Sequence, residues 1–224
     1  MKVTATLLAI CIVATLAGAE TETAKPAFMD PAALTEQAPD KCLIKFETSE
    51  GDFVIEMIRK WSPIGADRFY NLVVNDYFTD VRFFRVAPGF VVQFGLHGDP
   101  EVNKVWRRAT IKDEPVIGSN VKGAITYAKG GPNSRTTQVY INLRDNTKLD
   151  GMGFSPFGHV IEGMDVVERL YGGYGDSPPR GNGPNQGRVV TEGNEYLNRA
   201  FPELDFIKKA TVLPVKEAEE KPAE

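Results

Sequence analysis

Phe83-Phe84-Arg85-Val86-Ala87-Pro88-Gly89-Phe90-Val91-Val92-Gln93-Phe94-Gly95 sets an arginine among bulky apolar neighbours and a glutamine inside a second apolar run. Pro88-Gly89 separates the two runs, so the stretch reads as two short strands joined by a turn. The pattern recurs along the chain. Phe83 to Val86, Phe90 to Phe94, Gly123 to Ala128 and Val139 to Leu143 are short apolar runs divided by Gly, Pro and Asn. Short strands with frequent turn signals predict a closed or sandwiched antiparallel sheet. A guanidinium is costly to bury without partners, so Arg85 either emerges at a surface or serves a site. The residue pattern leaves both readings open.

Working outward, Cys42, Ile44 and Phe46 alternate with Leu43, Lys45 and Glu47, a turn at Ser49-Glu50-Gly51-Asp52 follows, and Phe53 to Met57 returns. That is a β-hairpin. Ser62-Pro63 fits an N-cap and first helical residue, with Ala66, Phe69, Leu72 and Val73 at helical spacing and Asp67, Arg68 and Asn71 free to face water. A second helix is expected over Met164 to Tyr171, where Val166, Val167 and Leu170 share a stripe. Gly172 to Gly187, rich in Gly and Pro, reads as a long loop, and Asp205 to Leu213 as a late strand able to pair with the first and close a barrel. Gly172-Gly173-Tyr174-Gly175 lacks the helix and lysine of a phosphate loop.

A chain of 224 residues fits one domain once its ends are set aside. Lys2, the apolar run Val3 to Leu16 and the small residues Ala17-Gly18-Ala19 form an export signal over 1–19, too short for the ~20 residues of a bilayer span. Export to periplasm or extracellular space, or into a secretory lumen, is the expectation, without stable membrane insertion. Residues 20–40 read as a disordered lead-in, 41–213 as the folded domain, and 214–224 as a disordered charged tail. The net charge of −4, with no basic cluster, argues against nucleic acid and anionic lipid as partners. Cleavage of the signal removes Cys11 and leaves Cys42, in a strand-like run, as a small buried hydrophobe with no disulfide partner.

Signals for hydrolytic or redox catalysis are thin. His97 and His159 are the only histidines, stand far apart, and read as surface or loop residues, so no metal site and no cofactor are expected. A second informative stretch is Ala128-Lys129-Gly130-Gly131-Pro132-Asn133-Ser134-Arg135-Thr136-Thr137-Gln138-Val139-Tyr140-Ile141. Its glycines and proline set a rigid loop, after which Gln138 and Tyr140 project from one strand face, an amide beside an aromatic ring.

These two stretches, in this order, resemble the cyclophilin signature, in which a Phe-x-Arg-x-x-Pro-x-Phe-x-x-Gln run precedes an Ala-x-x-Gly-Pro-Asn…Gln-x-[Phe/Tyr]-Ile run. Gly51-Asp52, Asp113-Glu114, Leu149-Asp150-Gly151, Phe157-Gly158-His159-Val160 and Glu162-Gly163-Met164 extend the resemblance over about Leu43 to Leu170. It implies a mainly β fold, a closed eight-stranded antiparallel barrel capped by two α-helices. It also implies a peptidyl-prolyl cis-trans isomerase acting on proline-containing polypeptides, and Arg85 as a catalytic arginine rather than a surface residue. The alternative from another class is a catalytically weak chaperone or proline-peptide binding module.

By the same resemblance Phe90, Val91, Tyr140 and Leu149 are walls of a proline pocket, Gln93 and Gln138 polar groove residues, the Lys129 backbone a hydrogen-bonding partner of the substrate, and Phe154 a further pocket residue. Strict alternation places Phe90 opposite Val91 and Gln93, so this assignment requires a bulge or sharp twist after Pro88-Gly89. The chain departs from the family at Phe84, where histidine is frequent, at Val91 (methionine), Lys129 (asparagine) and Tyr140 (phenylalanine). The Tyr140 hydroxyl therefore needs a partner. Lys148 stands where cyclosporin-sensitive members carry tryptophan, which implies weak cyclosporin binding. Segments 97–106 and 172–204 have no counterpart in the plainest members and read as surface decoration. A monomer is the default.

Overall fold

The computed structural model describes residues 26–214. The export signal, the start of the lead-in and nearly all of the charged tail lie outside the described residues. Eight strands form one sheet: β1 Lys41–Thr48, β2 Asp52–Ile58, β3 Arg85–Ala87, β4 Val91–Phe94, β5 Ala124–Tyr127, β6 Val139–Asn142, β7 Pro156–Glu162 and β8 Ile207–Val212. Their spatial order is β3-β4-β6-β5-β7-β2-β1-β8, with every paired neighbour antiparallel.

The expected closure of the barrel is corrected: the sheet is curled but open, since β3 and β8 share no ladder. Their seam is crossed just ahead of β3 by an isolated bridge between Arg82 and Phe206 and by backbone hydrogen bonds at Asp80, Val81 and Phe83. The chain thus passes the start of β8 at residues 80–83, before β3 begins, and the three residues Arg85–Ala87 of β3 pair only with β4.

The hairpin forms as the sequence dictates. Cys42, Ile44, Phe46 and Thr48 of β1 point inward in strict alternation, and Phe46 pairs with Phe53 so that their rings stack at 5.0 Å. Phe69, Phe78 and Phe94 close around Phe46 at 5.8–6.1 Å. Each such ring contributes roughly 1.5–3 kcal/mol on burial, and the cluster lies inside one continuous apolar core. Cys42 is buried as expected, and burial pushes its thiol up to about 11, which keeps it protonated and unreactive.

Two helices were expected and four are present among the described residues: α1 Pro63–Val74, α2 Pro100–Trp106, α3 Met164–Arg169 and α4 Gln186–Ala200. Pro63 is the first residue of α1, but Ser62 does not cap it with its side chain. Glu114 does so instead, accepting the Ile64 and Gly65 N–H groups at 2.7 and 3.1 Å. Asn71, expected to face water, is buried and binds Glu36 through both its amide groups. That contact also corrects the reading of 26–40 as disordered. Ala38 N–H donates to Asp67 at 2.9 Å, and the Phe28 carbonyl accepts from the Trp106 indole at 2.8 Å. These residues carry little periodicity because they bind the core through scattered contacts rather than as a regular element.

Segments 97–106 and 172–204, remote in sequence, are packed on each other. α4 breaks at Gly193, whose φ of 58° is left-handed, where the chain presses on the Gly98 carbonyl; a Cβ there would sit 2.0 Å from that oxygen. A second apolar core forms beneath them from Phe84, Leu96, Val189, Tyr196, Leu197 and Leu204. Phe84, set where the family tends to carry histidine, is thus the fully buried plug between the sheet and α4. His97 is half-buried between the rings of Phe28 and Tyr77, at 5.4 and 5.2 Å, and His159 lies on β7 stacked against Trp61, rather than in a loop.

Candidate active site

Strand register builds the site. Arg85 of β3 is opposite Gln93 of β4, Gln93 is opposite Tyr140 of β6, and Tyr140 is opposite Thr126 of β5. Directly opposed residues share a face, so these four side chains form one row across the sheet. Arg85 Nη1 donates to Gln93 Oε1 at 2.9 Å, and Gln93 Nε2 donates to Gln138 Oε1 at 2.9 Å. An arginine and two amides are therefore fixed in a chain before any ligand arrives.

Around this row opens a groove of about 520 Å³ lined by Arg85, Phe90, Val91, Gln93, Lys129, Gln138, Tyr140, Leu149 and Phe154, with Met152, Arg180 and Gln186 at its edges. All the residues singled out in the sequence meet there. Phe90 reaches the groove without a bulge: Gly89 is left-handed at φ 68°, Phe90 N–H returns to the Ala87 carbonyl at 2.9 Å, and β4 begins only at Val91. Being in the turn, Phe90 is exempt from strand alternation, and its ring lies 5.6 Å from the Arg85 guanidinium.

The floor is buried, and its polar side chains are paired with one another. Val91, Gln93 and Tyr140 are buried, and the Tyr140 hydroxyl donates to Asn120 Oδ1 at 3.0 Å. Burial pushes the Tyr140 phenol well above its ordinary value, so it stays a neutral donor. Asn120, fully buried, also accepts from Thr126 Oγ1 at 2.9 Å and donates to Asp150 at 2.7 Å and to the Phe154 carbonyl at 2.8 Å. It thereby ties Tyr140 to the turn bearing Leu149 and Phe154. Asp150 is penalised by burial, but hydrogen bonds from Ser119 and Asn120 outweigh this and hold it below the usual carboxylate range.

On the other side, Lys129 Nζ pairs with Asp113 at 3.0 Å and stands 5.3 Å over the Phe154 ring. The loop between Lys129 and Gln138 is anchored by Arg135, buried against Glu114 at 2.9 Å and hydrogen-bonded to Ser62 Oγ at 3.1 Å. Asp113 is also partly desolvated, yet the bonds from Lys129 and the Asn133 N–H keep its carboxyl low.

Sequence reasoning missed one contact at the centre of the site. Arg85 Nε and Nη2 donate to the two carboxylate oxygens of Asp176 at 2.6 and 3.1 Å. Asp176 is the only acid between Gly172 and Gly187, a stretch read as a long loop. A lone carboxylate among glycines and prolines was the available signal, but nothing local says which cation it meets. Asn120 was equally silent, because its partners come from other elements.

A family profile described as "Cyclophilin type peptidyl-prolyl cis-trans isomerase/CLD" matches residues 43–190, more than half of the chain. A peptidyl-prolyl cis-trans isomerase of Acinetobacter baylyi is 33% identical over 134 residues, covering 57% of this chain and 71% of the relative. Peptidyl-prolyl cis-trans isomerase B of Escherichia coli is 30% identical over 139 residues, covering 58% and 84%. A crystal structure of a Cryptosporidium parvum cyclophilin type peptidyl-prolyl cis-trans isomerase superposes with a TM-score of 0.57 at 19% identity, covering 78% of this chain and 98% of that one. The same protein crystallised in the presence of the dipeptide Ala-Pro gives a TM-score of 0.55.

Proposed function

The chain belongs to the cyclophilin-type peptidyl-prolyl cis-trans isomerases, and on that premise we propose that Arg85 accelerates rotation of X-Pro bonds in polypeptides by donating a hydrogen bond to the prolyl nitrogen of the twisted amide. Amide resonance sets a rotational barrier of ~18–20 kcal/mol, while the two isomers at proline differ by only ~0.5–1 kcal/mol. A catalyst has no bond to break. It must hold the ring, leave the preceding carbonyl free to swing, and stabilise a nitrogen that becomes pyramidal and basic as conjugation is lost. A donor aimed at that nitrogen binds the twisted state better than either planar state, and that difference is what lowers the barrier.

The observation that carries this reading is the row of Arg85, Gln93 and Tyr140 in one groove, with the guanidinium beside Phe90. Phe90, Val91, Tyr140 and Leu149 are assigned the apolar wall for a pyrrolidine ring, and Lys129, which lines the same groove, the backbone partner of an extended peptide. The Ala-Pro dipeptide used with the Cryptosporidium relative supports proline peptides as the substrate class. Removing a fixed donor of this type costs ~2.7–4 kcal/mol in other enzymes, so Arg85→Ala is expected to lose about a hundredfold or more in kcat/KM on an Ala-Pro peptide. Near-normal turnover by that variant would end the assignment. Binding without turnover in the native protein would instead favour the weak chaperone.

The apolar run and small residues at 3–19 support export, with periplasm or extracellular space the natural destinations. Lys148 in place of a tryptophan supports weak cyclosporin binding, and a monomer suffices because one chain supplies every wall of the groove.

A further inference from the structure

We propose that Asp176, carried by segment 172–204, is a positioning residue for Arg85, and that this segment is part of the catalytic apparatus rather than surface decoration. The inference rests on Arg85 acting as the proposed donor. The ion pair is bidentate and sheltered, with side-chain exposures of 14% for Arg85 and 22% for Asp176. A guanidinium has five N–H groups; Asp176 takes two and Gln93 takes one, so two remain for a ligand. A long side chain with several rotatable bonds is thus held from two sides, with its fork still able to donate. Without such clamps, ordering the arginine would be charged against each turnover; with them the donor is in place when the nitrogen develops its lone pair.

The loop is built to present that carboxylate. The Asp176 carbonyl accepts the Gly183 N–H at 2.9 Å, and Ser177 N–H donates to Asp176 Oδ1 at 2.7 Å, so backbone on both sides fixes the residue. Gly181 must be glycine for this closure, because a Cβ there would lie 2.3 Å from the Asp176 carbonyl oxygen. The base of the loop is held by aromatic contacts: Tyr174 meets Phe201 edge-on at 5.0 Å, and Phe201 meets Tyr196 at 5.5 Å. Those rings belong to the second core that Phe84 plugs, and Phe84 is the residue before Arg85. Sheet and segment therefore grip the arginine together, the backbone from Phe84 and the side chain from Asp176. Arg180 and Gln186 of the same segment extend the groove wall beside it.

The test is a double-mutant cycle on the full chain with an Ala-Pro peptide, using Arg85→Ala, Asp176→Asn, Asp176→Ala and the combinations of each with Arg85→Ala. Asp176→Asn retains the size and the Ser177 contact while removing the charge and one acceptor, and thermal unfolding reports whether each variant is folded. Misplacing a catalytic group by about 1 Å commonly costs ~100-fold, so Asp176→Asn is expected to lose about tenfold and Asp176→Ala up to about a hundredfold, in kcat more than in KM. In the Arg85→Ala background neither change should lower activity further, which a merely structural role would not produce. The native protein gives an independent readout: the Arg85 Nε–H resonance should be resolved and slowly exchanging, and shifted in Asp176→Asn. An impaired Arg85→Ala beside Asp176 variants that are as fast as, or faster than, the native protein would overturn the positioning role alone. Equal losses from Asp176 variants in both backgrounds would also overturn it. Normal activity of Arg85→Ala would instead remove the reading on which it rests.

Discussion

Glu114→Ala should be among the most damaging single substitutions outside the groove. Glu114 and Arg135 are 7% and 3% exposed and meet at 2.9 Å. At that separation and an effective dielectric of ~20 the gross attraction is about 6 kcal/mol, most of it offset by desolvation of both ions. Deleting Glu114 leaves Arg135 only a longer ionic contact with Asp113, at 3.7 Å, to offset its desolvation, which costs ~3–5 kcal/mol. Glu114 also accepts the Ile64 and Gly65 N–H groups and the Ser62 hydroxyl, so the first turn of α1 loses its cap for about 1 kcal/mol more. The expected total of roughly 4–6 kcal/mol is a large share of the ~5–15 kcal/mol that holds a typical domain folded.

Urea unfolding followed by tryptophan fluorescence reads this directly. With a slope of ~2–3 kcal/mol per molar, the midpoint should fall by about 2 M. Glu114→Leu with Arg135→Met should recover most of the loss, because an apolar pair carries no buried charge. Activity should fall with Glu114→Ala even below the transition, since Arg135 anchors the loop between Lys129 and Gln138. A loss under about 1 kcal/mol, or a double variant as unstable as the single one, would refute the reasoning.

Tyr140→Phe should be mild, costing about 0.5–1.5 kcal/mol in stability and leaving kcat/KM within about threefold, because Asn120 Oδ1 keeps its donors at Thr126 and Asn142. Titration of Asp176 can be followed by comparing native stability with that of Asp176→Asn across pH. The hydrogen bonds from Arg85, then its charge, the Ser177 N–H and nearby Arg180 together outweigh burial and hold the Asp176 carboxyl below its ordinary 3.8. A depressed folded value means the stabilisation is complete above the ordinary value and is lost as pH falls through the lower one. The difference between the two proteins should therefore be constant from about pH 5 to 8 and shrink only below about pH 4. A difference that shrinks near neutrality would contradict the ion pair.

Much of the fold was written in local pattern. The alternation of Cys42, Ile44 and Phe46, the Ser62-Pro63 start of α1 and the late strand beside β1 are each set by neighbours within a few residues, so periodicity reveals them. The rest depended on distance. α2 and α4 gave weak signals because one spans only Pro100–Trp106, while the other is broken by Gly193 to clear the Gly98 carbonyl. Each is stabilised by packing on the other. Residues 26–40 looked featureless for a similar reason, since their order comes from Asn71, Asp67 and Trp106.

Local pattern alone marked an arginine and two glutamines beside short apolar strands and left the place of Arg85 open; the family resemblance, not alternation, assigned Phe90, Val91, Tyr140 and Leu149 to one apolar wall. What holds the arginine, and the open edge of the sheet beside it, emerge only in the folded chain. A carboxylate 91 residues away has no periodic relation to Arg85, and its approach depends on glycines that let the loop fold onto itself and on a second core that exists only once β3 and α4 meet. Local steric rules propagate over a few residues, whereas ion pairs and packing act through space and are visible only after the chain has returned.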